Sequence, residues 1–410
     1  MKPRSSSAYE FMLVALLVLF WGSVGLNRVG IGLIFPDIVP EFHMAYWQAS
    51  LLVAGTSVTW AVSSWVGGWL SDRHGRRRVL LPAAAWVCVM TAAMGATWSF
   101  LSMFVVRDLL GIGDGVGWAV GESAISEESA PQRRGFNQAL FTAGYTLIGA
   151  GLGAVIITRI SHYLGWRWVF PIIGGATVFV VLGLAVVMRE PPAQKARHKL
   201  DWRASLATLK SPSLIHLTVM GCAILTWLAV TIAFNQLFLT KLRGFSKLEA
   251  GDIAVVWGLA GTAGQILLPL ASDYVGRRPV TLVSALVSAA ALAAYIAGGF
   301  GLGGMQLMLG INGFCGFGLL PIVLATCVSE SVGEEVRGAA LGATNFFAVI
   351  VGTTLMPVIG GVMADHFGLG SAMWILVGAQ IVIALFILAI DETAPRLVAR
   401  RAAALRAAGD

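Results

Sequence analysis

Three charged residues interrupt stretches that are otherwise apolar, and their side chains could bind an anion and exchange a proton. Arg28 lies deep in the first apolar stretch, and Arg107 and Asp114 lie in the fourth. A charge at the centre of a bilayer costs about 2.5–3.5 kcal/mol on insertion scales, so each needs a wet cavity or a partner. The arginine fork binds a carboxylate through two hydrogen bonds and stays protonated. Arg28 is therefore either an anion-binding residue or a structural arginine bonded to helix carbonyls or to a carboxylate.

Arg107 and Asp114 are two helical turns apart, so they share a helix face and stand ~10 Å apart along the axis. At that separation they cannot form one simple ion pair. Burial disfavours the charge of a carboxylate and a nearby arginine favours it, so Asp114 could change its protonation state. Glu122, further along, is a reserve proton carrier or a packing residue. A fixed Asp–Arg network is the alternative interpretation of Arg107 and Asp114.

The elements that must position these charges are membrane-spanning helices. Of the 410 residues 57% are hydrophobic and 12% charged, and the mean hydropathy is +0.80, whereas soluble domains carry about 25% charge. The apolar stretches are near the ~20 residues that cross ~30 Å of hydrocarbon. The composition therefore predicts an all-α polytopic membrane protein. The predicted spans are 11–35, 47–70, 79–99, 103–125, 137–158, 167–189, 212–238, 250–271, 279–299, 304–328, 339–363 and 371–391.

Most of the 28 Lys and Arg lie in alternate connections and in the two tails. By the positive-inside rule, we expect both termini in the cytoplasm and a multi-pass location in the inner (plasma) membrane. The same distribution accounts for the net charge of +7 without a nucleic-acid partner. The first span is too long for a signal peptide and is expected to be retained.

Catalytic and metal-binding patterns are not visible in the sequence. The four cysteines lie in apolar spans without metal-ligand spacing, so neither disulfides nor a metal site is expected. No nucleotide loop, nucleophile elbow or long soluble domain is present. We therefore expect no cofactor and no enzymatic activity, and a membrane enzyme or sensor is a remote alternative.

An internal repeat divides the chain into two halves. The stretch GWLSDRHGRR at 68–77 recurs as PLASDYVGRR at 269–278. Weaker echoes align Glu128 with Glu330 and Glu190 with Glu392. The repeat predicts an N-terminal six-helix bundle over 1–189 and a C-terminal six-helix bundle with a cytoplasmic tail over 212–410. The basic, proline-containing segment 190–211 is predicted to be a cytoplasmic linker along the membrane surface.

The stretch at 68–77 resembles the signature loop between helices two and three of the major facilitator superfamily, and its copy strengthens the match. The resemblance implies twelve transmembrane helices in two six-helix halves that rock around a central site, and a functional monomer. Gly68 would permit close helix approach, and Asp72 and Arg76 could pair or cap a helix end. A topology-setting basic loop is the alternative. The predicted gating residues are Gly68, Asp72, Arg76, Asp273 and Arg277.

Within this superfamily, three segments resemble the anion:cation symporters, which carry organic anions. Asn27-Arg28 stands where that family commonly has Asp-Arg, and the run from Arg107 to Trp118 resembles its Arg-x-x-x-Gly-x-x-Glu pattern. The segment GWRWVF at 165–170 resembles the opening of its sixth helix. The resemblance implies that Arg107 helps to bind or gate the anion and that Asp114 couples protons. Asn27 is predicted to contact the substrate beside Arg28, but it departs from the family aspartate, since it can hydrogen-bond but cannot titrate.

Further polar residues could complete the site. Relatives tend to place polar contacts in the helices that hold Tyr145, Asn235 and Asn345, and Trp118 could line an apolar wall or stack on a ring. Other polar residues within spans, such as Gln236 and Gln265, are expected mostly to pack between helices.

These residues together predict uptake of a small organic anion, a carboxylate or sugar acid, by proton symport and alternating access. The expected partners are the anion, protons and the bilayer. A drug/proton antiporter is one alternative, although the glycine-rich stretch 144–153 lacks the proline of export families. An organic-anion exchanger is the other.

Overall fold

The computed structural model describes residues 7–190, 211–333 and 336–397. The predicted linker therefore lies almost entirely outside the described residues, as does the C-terminal tail beyond residue 397. Within these residues the chain forms twelve long helices and no strand. They are α1 Ser7–Glu41, α2 Tyr46–His74, α3 Arg76–Met94, α4 Phe100–Glu128, α5 Arg134–Leu164, α6 Trp166–Val187, α7 Pro212–Leu242, α8 Lys247–Val275, α9 Arg277–Ala297, α10 Leu302–Glu330, α11 Arg337–Phe367 and α12 Leu369–Ile387.

Eleven of these helices are long and apolar enough to cross a membrane, and α4 is the exception among the described residues. It carries the charges of Arg107, Asp108, Asp114 and Glu122, which lower its hydropathy. The predicted helices are all present. The ends of α1 and α5 lie six residues beyond the predicted ends, at Glu41 and Leu164, because polar residues continue these helices past the apolar window.

The two halves repeat the same helix neighbours. In the first half α4 packs against α2 and α3, and α3 packs against α6; in the second half α10 packs against α8 and α9, and α9 packs against α12. The turns that join α2 to α3 and α8 to α9 also match. Gly75 and Gly276 hold φ angles of 102° and 117°, which side chains disfavour. The predicted six-helix repeat is therefore confirmed.

Contacts across the seam between the halves hold one end of the molecule closed. Helix α1 packs on α7, α5 on α8, and α2 on α11. The cross-half ion pairs among the described residues all lie at the end opposite the chain termini. At that end the backbone N–H groups of Tyr46 and Trp47 donate to the Asp365 carboxylate at 2.8 and 3.0 Å. The two cross-half ion pairs at this end join Lys247 to Asp37 and Arg159 to Asp252.

Widened π-helical turns occur at corresponding places in the two halves. They span Tyr145–Leu152 in α5 and Val349–Leu355 in α11. Each faces a helix of the other half: the turn in α5 packs on α8, and the turn in α11 packs on α2. Such turns are frequent at functional sites, and these two lie where the halves meet.

Candidate functional site

The three predicted charges of the first half lie together between α1, α2 and α4. Arg28 Nε is 3.6 Å from Asp114 Oδ2. Arg107 Nε donates to the Leu52 carbonyl at 2.6 Å, and a terminal nitrogen donates to the Asn27 carbonyl at 3.4 Å. Arg107 and Asp114 are 1% and 0% exposed, whereas the Arg28 side chain is 18% exposed. Arg28 is therefore the cation of this group that a ligand can reach, and Arg107 is part of the wall.

Glycines allow α4 to lie against α2 closely enough for these contacts. A Cβ at Gly111 would lie 2.7 Å from the Thr56 carbonyl, and a Cβ at Gly115 would meet the backbone of Trp60 and Ser64. At this separation Arg107 reaches a backbone carbonyl of α2, whose second lone pair is free to accept. The glycines of the run from Arg107 to Trp118 thus serve helix packing, while its charged residues form the site.

Arg28 keeps hydrogen-bonding capacity. Its guanidinium lies over the Trp60 ring, 5.2 Å from the centroid, and one terminal nitrogen donates to the Thr56 carbonyl at 3.5 Å. Both carboxylate oxygens of Asp114 are buried and accept no hydrogen bond within the described residues. The Arg28–Asp114 contact is therefore mainly Coulombic, and donors of the fork remain for a ligand. Sequence reasoning missed Trp60, because aromatic residues in spans are usually packing residues.

Asn27 connects helices in this structure. Its Nδ2 donates to Thr91 Oγ1 at 2.9 Å, which links α1 to α3, and its backbone carbonyl accepts from Arg107. Its Oδ1 is buried and has no partner among the described residues. Asn27 thus holds the site together, and its substrate contact stays a prediction.

An aromatic cluster adjoins the charges. Trp118 lies 4.7 Å from Trp21 and 5.5 Å from Phe141 between ring centroids, and Tyr145 lies 5.9 Å from Trp21. Trp118 and Tyr145 are both half-buried. Tyr145 is also within electrostatic range of Arg28. The two predicted residues therefore lie on one wall, next to the exposed cation.

The remaining predicted site residues lie apart from this group. Asn235 accepts a hydrogen bond from the Tyr295 hydroxyl at 2.7 Å. Asn345 donates to the Leu341 carbonyl of its own helix at 2.9 Å. Glu122 is exposed and forms no ion pair in the part of the chain that the structure describes. No described hydrogen bond joins any of these three to Arg28 or Asp114.

The predicted gating residues form two matching clusters at the end that carries the termini. Asp72 pairs with Arg76 at 2.5 Å, and Asp273 pairs with Arg277 at 2.5 Å. Each arginine also pairs with a glutamate at the end of α4 or α10: Arg76 with Glu127 at 2.8 Å, and Arg277 with Glu330 at 3.0 Å. The sequence echo pointed to these glutamates but aligned Glu128 with Glu330. The register is one residue off, since Glu127 makes the corresponding contact.

The sequence echo that aligns Glu190 with Glu392 also has a structural counterpart. The Glu190 carboxylate accepts from the Arg78 backbone N–H at 3.2 Å. The Glu392 carboxylate accepts from the backbone N–H groups of Arg277 and Arg278 at 2.7 and 3.2 Å. Both glutamates cap the N-terminus of a helix that follows a signature loop, where a negative charge is favourable.

Gly68 is not closely packed in this conformation, and its gating role stays a prediction. A Cβ at Gly68 would meet only the Ala119 Cβ at 4.0 Å, an ordinary contact. A Cβ at Gly67 would lie 2.8 Å from the Val116 side chain. The face of α2 that packs on α4 thus passes through Gly67, one residue earlier.

The fold and site agree with a family match. The sequence-family model of the Major Facilitator Superfamily matches residues 16–352, and the chain belongs to this superfamily. It is therefore a multi-pass membrane transporter and not an enzyme.

Particular relatives refine this class. The chain is 26% identical to a Cupriavidus pinatubonensis protein named "Probable 4-methylmuconolactone transporter", over 83% of this chain and 81% of the relative. It is 26% identical to the 3-(3-hydroxy-phenyl)propionate transporter of Escherichia coli, over 84% and 87%. Its fold matches an inward-facing, unoccupied bacterial homologue of the human lysosomal transporter Spinster, with TM-score 0.75 at 18% identity, over 94% of this chain and 96% of that one.

Proposed function

We propose that the protein takes up a small organic anion that bears a carboxylate, by proton symport and alternating access in the inner membrane. The observation that carries this proposal is Arg28, a partly exposed cation with unused donors next to the buried Asp114 carboxylate. The names of the two relatives support an organic substrate of this size. The aromatic wall of Trp118 and Tyr145 suits the carbon skeleton of such an acid.

Charge balance provides the coupling. Arg28, Arg107 and an ionised Asp114 carry a net charge of one positive unit, and protonation of Asp114 raises it to two. Half-buried Asp108, beside Arg107, lowers both totals by one and leaves the difference unchanged. A proton on Asp114 therefore strengthens anion binding. By linkage, a bound anion strengthens proton binding to the same extent.

The coupling would arise because Asp114 and the substrate carboxylate compete for Arg28. Among the described residues, Asp114 is the carboxylate that pairs with the Arg28 guanidinium, at 3.6 Å. A substrate carboxylate that forms two hydrogen bonds with the fork replaces this longer contact. Asp114 then loses its counter-charge and is stabilised by a proton. Anion and proton thus cross together.

The two gate clusters govern access. With both termini in the cytoplasm, the closed end of the structure faces outward and the site opens inward. The clusters around Arg76 and Arg277 each lie within one half in this conformation. They would meet the opposite half when the cytoplasmic end closes. The protein would work as a monomer, since one chain supplies the site and both gates.

Uptake into proteoliposomes tests the proposal. The purified protein should accumulate a labelled organic acid when the outside is more acidic, and a protonophore should abolish the accumulation. Absence of any uptake or binding across a panel of aromatic, aliphatic and sugar acids would contradict it.

One observation favours a second candidate, organic-anion exchange. Asn27 cannot titrate and therefore cannot carry a coupled proton. Asp114 is then the single carboxylate that contacts Arg28 in the described structure. An exchanger would take up the labelled acid only into vesicles preloaded with an anion, with no dependence on the pH gradient.

A further inference from the structure

A small cavity lies at the seam between the halves, about one helical turn beyond Arg28 along α1. Its walls come from α1 and α5 of the first half and from α7 and α8 of the second half. Its volume is about 20 Å³. A water needs roughly 10–15 Å³, so the cavity admits one oxygen-sized group and not a whole organic acid.

Three polar atoms of residues that line the cavity lack hydrogen-bond partners within the described residues. Both amide atoms of Gln236 are unpaired, and that side chain is 2% exposed. The indole N–H of Trp257, which is 3% exposed, is also unpaired. Buried polar groups are nearly always hydrogen-bonded, so an unpaired amide and indole beside one cavity suit a water or a polar ligand group there.

Neighbouring polar groups of the second half are satisfied. Asn235, the residue before Gln236, accepts from Tyr295 at 2.7 Å. Asn312 accepts from the Trp227 indole at 3.1 Å and donates to Ser288 at 2.8 Å. The unpaired groups at the cavity therefore differ from the polar network around them.

The cavity exists because the halves touch at this level. A Cβ at Gly32 of α1 would collide with the Ile232 carbonyl of α7, and Val29 and Gly32 form the wall opposite Gln236. When the closed end opens, α1 moves away from α7 and this wall is lost. A group bound here thus belongs to the conformation in which the outer end is shut.

The three atoms match a hydroxyl group. Gln236 Nε2 and Trp257 Nε1 donate, and Gln236 Oε1 accepts. A hydroxyl oxygen can accept two hydrogen bonds and donate one. A carboxylate does not match, because no cation is among the lining residues. An apolar group would leave the three atoms unpaired, and such sites discriminate against it.

We propose that Gln236 and Trp257 form a hydroxyl-recognising subsite that makes the transporter selective for hydroxylated organic acids. The inference rests on the proposed function, in which Arg28 holds the carboxylate. The substrate then bridges the halves, with its carboxylate on the first and its hydroxyl on the second. A bridged substrate favours the closed outer end, so only acids of this kind are bound and moved efficiently.

The test compares acids that differ by one hydroxyl. Uptake is measured in proteoliposomes for 3-(3-hydroxyphenyl)propionate against 3-phenylpropionate, and for malate against succinate. In at least one pair the wild-type KM should be lower for the hydroxylated acid by about 3- to 10-fold, the effect of one or two neutral hydrogen bonds. The variant Gln236→Met should raise the KM of the hydroxylated acid and leave that of its partner within about twofold.

Gln380→Met is the matched control. Gln380 in α12 is also fully buried with both amide atoms unpaired, but it does not line the cavity. It should leave the selectivity unchanged. Size-exclusion elution and melting temperature check the fold, and Trp257→Phe carries the same test if Gln236→Met does not fold.

The outcomes separate the two proposals. A Gln236→Met variant that changes the KM of both acids of a pair equally, or the KM of neither, overturns the subsite. Gln236 then has a packing or water-binding role. Wild-type protein that transports none of the four acids overturns the subsite, and it contradicts the proposed function as well only if the sugar acids of the wider panel are also neither bound nor transported.

Discussion

The two halves are alike in the ion-pair clusters at the end that carries the termini and unlike in their interiors. The clusters Asp72–Arg76–Glu127 and Asp273–Arg277–Glu330 match in composition and geometry. In the middle of the helices, the first half holds Arg28, which is partly exposed, and the buried Arg107 and Asp114. The described middle of the second half holds neutral groups instead, such as Asn312, Asn235 and Gln236.

The difference indicates which features the fold requires and which the ligand requires. In the proposed rocking mechanism both halves carry a gate, which accounts for the duplicated cluster. A charge in the membrane interior is costly and is retained where it has a task. In the proposed function, one substrate carboxylate and one proton need one such set, and the other half can supply neutral hydrogen bonds and walls.

Arg28→Ala should have the largest effect on anion affinity, because it removes the cation that the first half has and the described middle of the second half lacks. Anion affinity should fall by at least about 100-fold, because two charge-assisted hydrogen bonds contribute about 1.5–3 kcal/mol each. Arg28→Lys should retain part of the affinity, since it keeps the charge without the fork. Binding is measured by tryptophan fluorescence or thermal shift on monodisperse protein.

The control lies in the other half. Arg243 at the end of α7 donates to the Ile296 carbonyl. Because substitutions at distant, independent sites have nearly independent effects, Arg243→Ala should change the anion affinity less than about threefold. Equal losses in the two variants would remove the distinction between the halves.

Asp114→Asn should separate binding from coupling. Counterflow of labelled acid should persist, because Arg28 is retained, while accumulation driven by a pH gradient should disappear. Glu122→Gln, at the exposed reserve carboxylate, should retain both activities. If accumulation survives in Asp114→Asn and is lost in Glu122→Gln, the proton carrier is Glu122.

Arg76→Gln and Arg277→Gln test the symmetric part. Each removes a partly exposed ion-pair cluster worth about 1 kcal/mol, so each should slow transport about two- to fivefold with little change in KM. Arg73→Gln, in the same loop but outside the described ion pairs, should be neutral. A similar loss in Arg73→Gln would mean that the loop acts only through its positive charge, and unequal losses at the two arginines would show that one gate dominates.

Asn345→Ala should have the smallest effect. The Asn345 amide already donates to the carbonyls of Leu341 in its own helix and Leu324 in α10, so the KM should stay within about twofold of wild type. A KM increase above fivefold, measured in the same uptake assay, would restore this residue as a substrate contact and give the second half a larger share of recognition.

The fold was predictable because its signals are local. A membrane span requires a long apolar stretch, and the duplicated signature loop sets the two halves in register. The charges Arg28, Arg107 and Asp114 were predictable because polar groups in such stretches are costly. The ends of α1 and α5 were not, since helices continue into polar regions where hydropathy carries no signal.

The partners of these residues depend on how helices pack. Arg107 bonds backbone carbonyls of α1 and α2, a contact that leaves no trace in residue types. Trp60 lies under Arg28 for the same reason. Asn235 and Gln236 are neighbours about 100° apart around one helix, so their spacing cannot decide which amide is paired. Only the packed structure separates Asn235, bonded to Tyr295, from the unpaired Gln236.

Proton uptake on anion binding tests the central claim most directly. The detergent-solubilised protein is mixed with a transported acid in weakly buffered solution, and the proton change is read with an indicator dye. Wild type should take up protons as the acid binds, because the anion on Arg28 favours a proton on Asp114. Asp114→Asn should bind the acid without proton uptake. Uptake of protons that persists in Asp114→Asn would contradict the account.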